Sequence, residues 1–360
     1  MSASNPIPPA RAWADIDLGA LVANARTVLS VSGSRLLPMV KANAYGIGAA
    51  AATRALEALD PWGYGVVTLE EGVALRRSGI RRPIIVFGPA TDEGMGACVD
   101  EDLRPVIGDL AALRRWLAMG DRPFHVEIDT GMARLGFPWR DRELIGEAGR
   151  LLAVATGWEG VFTHFHSADA DLESVVTQWD RLHAVVAALP RRPAMVHAAN
   201  SAAALQGARF AGDLVRPGIF LYGGAAGART PETVVRLRAP VVATRRVAPG
   251  DTVSYGATWR AARPTTVVTL AAGYADGVPR ALGGKGAVEI AGAVHPIAGR
   301  VTMDFTMVDV GDTEPSIGAT ATLFGDAISL DAQAAAAGTI SYELLTGLGP
   351  RVSRHYGGNG

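Results

Sequence analysis

Short apolar runs alternate with Ala- and Leu-rich segments about eight times between residues 13 and 229. Strand followed by helix, repeated in this way, is the pattern of an α/β fold with a (β/α)8 barrel of the TIM type. The alternative is a doubly wound open sheet, which needs fewer strands, and the sequence has no Gly-rich dinucleotide fingerprint. The predicted strands are 36–40, 63–67, 83–87, 103–106, 124–128, 158–162, 195–197 and 214–220. The predicted helices include 18–30, 49–59, 69–78, 110–117, 140–152, 172–189 and 201–205.

The pattern changes after about residue 231, where short β-branched runs are separated by Gly, Pro and Asp. This predicts a mainly β C-terminal domain at 231–360, after a barrel domain at 1–230 whose first ten or so residues are flexible. The predicted strands are 234–247, 252–257, 264–270, 287–290, 294–298, 302–310 and 319–323, followed by helices at 331–337 and 341–346.

Composition restricts the class of function. With 49% hydrophobic and 19% charged residues, the 360-residue chain is predicted to be globular. A net charge of −1 without a basic stripe argues against nucleic acid as a partner. Cys98 is the only cysteine, so no internal disulfide is possible. No membrane-spanning run and no secretory signal are apparent, so a cytoplasmic protein is expected.

Lys41 directly follows the predicted strand 36–40. A lysine at the end of a buried strand is poorly hydrated, which lowers the pKa of its amine. A neutral amine is what a Schiff base with an aldehyde cofactor requires. The alternative is a surface lysine that merely ends a strand.

Other polar residues also follow predicted barrel strands, at the end where barrel enzymes carry their chemistry. Their joint occurrence there predicts a site, although each one alone has a structural explanation, such as a core histidine for His197 or a helix cap for Ser201. These residues are Glu127, Asp129, Arg134, His164, His197, Ser201 and Arg216.

Eight motifs follow one another over nearly the whole chain: 40–46 (VKANAYG), 129–136 (DTGMARLG), 163–165 (THF), 197–201 (HAANS), 215–218 (VRPG), 254–257 (SYGA), 273–277 (GYADG) and 299–304 (GRVTMD). In this order they resemble the motifs of the alanine racemase family. The resemblance implies the same barrel-plus-β layout and pyridoxal 5'-phosphate as the cofactor. It implies no metal.

The resemblance also implies two catalytic bases. Lys41 would bind the cofactor and act on one face of the substrate, and Tyr255 would act on the other. His164 would lie beside Tyr255 and connect it to Arg216, which would hydrogen-bond the cofactor's ring nitrogen while His197 holds it. Because arginine cannot accept a proton, that nitrogen would stay unprotonated. Without the resemblance, Tyr255 would be interpreted as a half-buried strand aromatic.

Further roles are implied for the cofactor phosphate and the substrate. Ser201 starts a helix, and Gly218 and Ile219 lie where main-chain amides can approach an anion, so these three are expected to hold the phosphate. Tyr45 and Tyr342 match the family's phosphate-binding tyrosines. Arg134 matches the arginine that fixes the cofactor phenolate and the substrate carboxylate.

This chain departs from the family pattern at Glu127, seven residues before Arg134. Many members carry a lysine there that becomes carbamylated. Glu127 already has a carboxylate, so we expect it to pair with Arg134 without CO2 chemistry. A glutamate facing solvent at a strand end is the alternative.

A homodimer with shared active sites is implied as well. Met303 and Asp304 match substrate contacts that the partner's β domain supplies together with its Tyr255. Asp169, Tyr274 and Arg280 resemble a polar entrance gate.

The expected function is interconversion of L- and D-alanine, which supplies D-alanine for peptidoglycan. Three alternatives stay open: a racemase for serine, a decarboxylase on the same plan, and a barrel that only binds pyridoxal phosphate. Arg216 argues against the decarboxylase, and the presence of a second domain argues against the binding protein. The motifs do not separate a biosynthetic from a catabolic role.

Overall fold

Eight parallel strands form the barrel, and most of them are short, mainly apolar runs of the kind that is buried on both faces. The computed structural model describes residues 11–89 and 91–358. Hydrogen bonding follows the order β2-β10-β9-β8-β6-β5-β4-β3, and a parallel bridge between Met39 and Gly65 closes the circle. The predicted (β/α)8 barrel is therefore confirmed. The strands up to residue 230 are β1 (Trp13–Asp17), β2 (Arg35–Leu36), β3 (Tyr64–Val66), β4 (Ile84–Val86), β5 (Arg104–Ile107), β6 (Phe124–Asp129), β7 (Phe137–Pro138), β8 (Trp158–Phe162), β9 (Met195–His197) and β10 (Leu214–Val215).

Helices follow the strands, and polar side chains fix where most of them begin. At seven of these starts an Asp, Thr or Asn accepts a hydrogen bond from a backbone N–H of the first turn, which satisfies a donor that has no partner within the helix. The helices are α1 (Leu18–Ser32), α2 (Lys41–Tyr45), α3 (Ala49–Leu56), α4 (Leu69–Arg77), α5 (Asp92–Asp100), α6 (Leu110–Ala118), α7 (Arg142–Leu152), α8 (Leu172–Ala188) and α9 (Ser201–Ala204).

The barrel interior combines an apolar cluster with two histidines. His125 and His197 are both fully buried, and the ring of Phe162 stacks on that of His197 with centroids 4.9 Å apart. The apolar cluster consists of Leu37, Ile85, Val106, Phe162, Met195 and Leu214. The interior is thus a packed core with a polar column inside it.

The second domain is mainly β, as predicted. Its large sheet has the order β16-β15-β18-β11-β1-β19, with β14 and β17 attached through β11. The elements are β11 (Val235–Val247), β12 (Thr252–Val253), β13 (Trp259–Arg260), β14 (Thr265–Leu270), β15 (Ala287–Ile290), β16 (Ala293–Pro296), β17 (Thr306–Gly311), β18 (Thr320–Phe324), α10 (Leu330–Ala337), α11 (Ser341–Thr346) and β19 (Ser353–Gly357).

The N-terminal strand β1 belongs to this second sheet, where it lies antiparallel to β11 and parallel to β19. The division into domains at 1–230 and 231–360 stays a prediction, and β1 shows that the sheet takes one strand from the first part. The prediction of flexible first residues falls on 1–10, outside the described residues.

Several predicted strands are shorter than expected: the strand predicted at 36–40 ends at Leu36, the strand predicted at 302–310 begins at Thr306, and two others end early at a turn. The strand predicted at 214–220 ends at Val215, and a 3-10 turn at Ile219–Tyr222 follows. The strand predicted at 252–257 ends at Val253, so Tyr255 begins a 3-10 turn, Tyr255–Ala257, and is not a strand aromatic. Pro217, which has no backbone N–H for a strand ladder, follows the first break, and Ser254, with a φ of 67°, turns the chain at the second.

Within the described residues, no helix is both long and apolar enough to cross a bilayer.

Candidate active site

A cavity of about 390 Å³ opens at the carboxyl ends of the barrel strands. It brings together ten of the residues singled out from the sequence: Lys41, Tyr45, Glu127, Arg134, His164, Ser201, Arg216, Gly218, Ile219 and Tyr342. Apolar side chains, among them Met39, Phe87 and Phe162, form most of the rest of the wall, together with the polar Asn200. A mostly apolar cleft with a few converging polar groups is the usual form of a small-molecule site.

Lys41 begins a turn that winds in the unusual direction. The four residues after it, Ala42 to Tyr45, have φ between 51° and 54°, in the left-handed region. Each such residue costs roughly 1–2 kcal/mol relative to the right-handed form. No sequence pattern indicates this turn, because Ala favours ordinary helices. Strain of this kind persists only where surrounding contacts impose it.

The Lys41 amine is partly buried, and burial lowers its pKa below the usual value. The positive charges of Arg134 and Arg216 lower it further, whereas the carboxylate of Glu71 raises it. A larger neutral fraction of the amine suits nucleophilic chemistry.

Arg216 is held on several sides by neighbours in the barrel. Its Nη1 lies 2.8 Å from Nδ1 of His197. Its Nη2 lies 3.3 Å from Nδ1 of His164 and donates to the carbonyls of Thr163 and Ala198. A guanidinium only donates, so both histidines must accept at Nδ1 and carry their proton on Nε2. Burial, followed by the charge of Arg216, lowers the pKa of His164 to about 3 and that of His197 well below 6.5. Both rings are therefore neutral at physiological pH.

The hydrogen-bonded chain continues into the barrel interior. Nε2 of His197 lies 3.0 Å from Nδ1 of His125, whose own Nε2 lies 3.4 Å from the carboxylate of Glu159. The same carboxylate accepts from Nε of Arg104 at 2.8 Å. Because Nδ1 of His197 accepts from Arg216, its Nε2 donates to Nδ1 of His125, and Nε2 of His125 makes no hydrogen bond within the described residues. The two rings therefore help to fix the orientation of the guanidinium.

The opposite end of the cavity has the donors of an anion site. Oγ of Ser201 accepts from the Gly218 amide at 2.8 Å, which ties the start of α9 to the 3-10 turn at Ile219–Tyr222. The Tyr45 ring stacks on that of Tyr222 with centroids 4.6 Å apart, and a Cβ on Gly218 would collide with the Tyr45 hydroxyl. Starts of helical turns present backbone N–H groups without intrahelical partners, which suits an anion.

Glu127 and Arg134 share the cavity wall, but no ion pair within 4.0 Å joins them among the described residues. Glu127 is only 6% exposed. Burial raises the pKa of its carboxyl, whereas the charges of Arg216 and Arg134 oppose that shift. The predicted pairing stays a prediction.

The remaining predicted residues lie elsewhere. Tyr255, Met303 and Tyr274 do not line the cavity, and their side chains are 72%, 53% and 44% exposed. The loop at 273–277 is hydrogen-bonded to the loop at 302–304 through the amides of its second and third residues. Lys41 and Tyr255 thus belong to different surfaces of one chain.

The other predicted gate and substrate residues also lie outside the cavity lining. Asp304 is half-buried, whereas Asp169 and Arg280 are exposed. Asp169 lies near enough to Tyr342 to add to the effect of burial, which raises the pKa of that phenol to about 12. Asp169 is therefore close to the cavity, since Tyr342 lines it.

Three contributing residues were not identified from the sequence. His125 is a buried polar group for which a lone His gives no distinguishing pattern, and Asp276 is a buried residue of the motif 273–277 to which the sequence assigned no role. Glu71 has a partial signal, since Thr68 followed by Glu71 is a capping box that predicts a helix start.

Models of known protein families match almost the whole chain. The model described as "Alanine racemase, N-terminal domain" matches residues 16–226, and "Alanine racemase, C-terminal domain" matches residues 234–356. A curated alanine racemase from Deinococcus radiodurans is 39% identical over 96% of this chain and 99% of its own length.

Solved structures agree with these matches. The alanine racemase of the D-cycloserine producer Streptomyces lavendulae has a TM-score of 0.90 and 33% identity, and 98% of each chain is covered. The alanine racemase of Bartonella henselae, described with covalently bound pyridoxal phosphate, has a TM-score of 0.90 and 30% identity over 97% of this chain and 100% of that one.

The fold and the cavity define a barrel enzyme whose site lies at the carboxyl ends of the strands. The chain belongs to the alanine racemase family, a family of isomerases.

Proposed function

We propose that this protein interconverts L- and D-alanine, with pyridoxal 5'-phosphate bound in the barrel cavity. The observation that carries the proposal is the joint arrangement of a desolvated Lys41, a fixed Arg216 and an anion-binding end in one cavity. The chemistry of the relatives named above supports the choice of alanine.

The residues present fit this cofactor. Arg216 uses its terminal nitrogens within the barrel, and in the described part of the chain its Nε makes no hydrogen bond, so that a donor is free for a ring nitrogen. Bound there, pyridoxal phosphate would make the α-proton of an amino acid removable by spreading negative charge into its ring. The phosphate would be held by Ser201, Gly218, Ile219, Tyr45 and Tyr342, at the end where the missing Cβ of Gly218 admits the Tyr45 hydroxyl.

Proton movement needs a group on each face of the substrate. In this proposal Lys41 Nζ takes or returns the proton on one face, aided by the burial that favours its neutral form. The phenol of Tyr255 from a partner subunit acts on the opposite face. His164 carries its proton on Nε2, the nitrogen that does not face Arg216, and can exchange a hydrogen bond with that phenol there.

A homodimer with shared sites follows from the same reasoning. Within one chain, Tyr255 and Met303 are exposed and lie outside the cavity that holds Lys41. We propose that they, with Asp304, complete the cavity of a second copy. A twofold arrangement makes both copies do this equally. The entrance of each cavity would be lined by Asp169, Tyr274 and Arg280.

We further propose that the enzyme works in the cytoplasm and that its D-alanine is used for peptidoglycan. Expression in a D-alanine auxotroph tests this role: growth without added D-alanine is the expected result.

The activity is tested by incubating the purified protein and pyridoxal phosphate with L-amino acids, then separating the enantiomers by chiral chromatography. Alanine racemised well ahead of serine is the expected outcome. Protein that holds the cofactor and racemises no amino acid would contradict the proposal.

Shared sites are tested by co-expressing two inactive variants, Lys41→Ala and Tyr255→Phe. With random pairing about half of the dimers are mixed, and each mixed dimer has one intact site of two, hence about a quarter of the wild-type activity. Each variant expressed alone is the control. Absence of any recovery in the mixture, with mixed dimers formed, would contradict shared sites.

Glu127 is proposed to orient Arg134 toward an anionic substrate, the two side chains being in one cavity. Glu127→Gln keeps the shape and removes the charge, so the KM for alanine is expected to rise about tenfold while cofactor content is unchanged. Steady-state kinetics at fixed pH measure this, with the exposed Glu143→Gln as control. Unchanged kinetics in Glu127→Gln would eliminate the role.

A further inference from the structure

The left-handed turn behind Lys41 requires contacts from outside itself, since its own backbone conformation is unfavourable. Lys41 precedes four residues in this conformation, Ala42 to Tyr45, and any relaxation of the turn would redirect the lysine side chain. What holds the first residue of the turn therefore decides where the Lys41 amine points.

Glu71, on α4, makes that contact. One carboxylate oxygen of Glu71 accepts from the Ala42 amide at 2.5 Å. The other accepts from the amides of Val67 at 2.9 Å and Thr68 at 3.1 Å. Val67 directly follows β3 and also lines the cavity. A single carboxylate thus joins the residue after Lys41 to the end of the neighbouring barrel strand.

We propose that Glu71 is a positioning residue for Lys41: its carboxylate holds the left-handed turn against the end of β3 and places a negative charge beside the amine. This inference rests on the proposed function, in which Lys41 carries the cofactor and moves the proton. Glu71 itself touches neither the substrate nor the reacting atoms in this scheme.

The charged groups around Lys41 determine the direction in which Glu71 shifts the pKa of the Lys41 amine. Arg134 and Arg216 face the amine and lower its pKa beyond the effect of burial, and the neutral ring of His164 lies in the same cavity. Glu71 is the carboxylate that opposes them. Loss of its charge should therefore lower the pKa of Lys41 further.

A purely structural role for Glu71 predicts a different result. Glu71 is also part of a capping box, in which its amide donates to Oγ1 of Thr68 at 3.3 Å. Thr68→Ala removes that half of the box and leaves the Glu71 carboxylate in place. Glu70→Gln removes a charge from the same helical turn without touching Ala42 or Val67. These two variants are the matched controls.

The sequence provides an internal reference, because its two lysines are Lys41 and the exposed Lys285. The full-length protein, freed of cofactor, is labelled with acetic anhydride at a series of pH values. Mass spectrometry then gives the reactivity of Lys41 relative to that of Lys285. The same variants are assayed as holoenzymes for kcat and KM.

Glu71→Gln is expected to move the pH midpoint of Lys41 labelling downward and to lower kcat about tenfold or more, since a small displacement of a reacting group has a large effect on rate. Glu71→Asp keeps the charge but is too short to reach both the Ala42 amide and the end of β3, so it should restore the midpoint and not kcat. Thr68→Ala and Glu70→Gln should match wild type in both measurements.

Two results would overturn the inference: a wild-type midpoint together with a wild-type kcat in Glu71→Gln, or equal losses in Glu71→Gln and Thr68→Ala. Failure of the proposed function is a separate outcome. A wild-type protein that racemises nothing would contradict the activity, whereas the labelling of Lys41 would still report on Glu71.

Discussion

Asp276 is the most informative residue to replace, because it joins both ends of the described chain to a proposed substrate contact. Its carboxylate is fully buried and accepts from Arg11 at 2.9 Å, from Arg351 at 3.1 and 3.2 Å, and from the Gly273 amide at 2.9 Å. Arg11 and Arg351 also donate to Asp304, at 3.1 Å to its carbonyl and 2.9 Å to its carboxylate. Asp276→Asn removes the charge on which this cluster depends.

The magnitude follows from the contacts. The amide of Asn keeps one acceptor and turns a donor toward guanidinium groups, so about two charge-assisted hydrogen bonds are lost, each contributing roughly 1.5–3 kcal/mol. The arginine side chains remain 33% and 38% exposed and regain water, which reduces the loss. We expect the free energy of unfolding to fall by about 3 kcal/mol, which corresponds to a fall of roughly 4 °C in Tm for a chain of 360 residues.

Calorimetry at fixed protein and cofactor concentration measures the change. Asp312→Asn is the matched control, since Asp312 pairs with Arg246 and Arg263 but its side chain is 74% exposed. Its Tm should not move. If Asp276→Asn lowered Tm no more than Asp312→Asn does, the assignment of stability to the buried cluster would be wrong.

Two further changes test the cavity and the barrel interior. Gly218→Ala puts a Cβ against the Tyr45 hydroxyl, so the Kd for pyridoxal phosphate should rise about tenfold or more in a fluorescence titration, and an unchanged Kd would contradict the phosphate site. His125 and His197 have pKa values lowered by burial, so the unfolded chain binds more protons below about pH 6.5, and stability present above that pH should be lost as the pH falls from about 6.5 toward 5. Urea unfolding at several pH values measures this, and a flat profile over that range would refute it.

Most barrel strands could be predicted because they are short, mainly apolar runs, and that signal is local. The partner of β1 could not, because Trp13 pairs with Arg238, and no local pattern carries information about a contact so distant in sequence. For the same reason, local patterns assign residues 13–17 to the barrel domain, although the structure pairs them with strands of the second sheet.

The candidate site could be predicted where polar residues follow strands, and the structure brings Lys41, His164 and Arg216 into one cavity. The left-handed turn at residues 42–45 could not be predicted from the sequence, because alanine is the strongest former of right-handed helix. Only tertiary contacts impose the left-handed conformation there. Glu71 was visible as a helix start, but its contact with Ala42 exists only once β2 and β3 lie side by side.

The position of β1 gives the barrel the topology of an insertion. The chain enters the second sheet at Trp13, leaves it for the barrel at Asp17, and returns at Val235, where Ile16 and Val235 are paired and the Asp17 amide donates to the Val234 carbonyl. Two crossings, tied to each other by this pairing, therefore join the barrel to the second sheet, where two consecutive domains would be joined by one. An exchange of residues 235–360 between two copies would have to break the pairing of β1 with β11, so β1 keeps the second sheet, with its Tyr255 surface, attached to its own barrel.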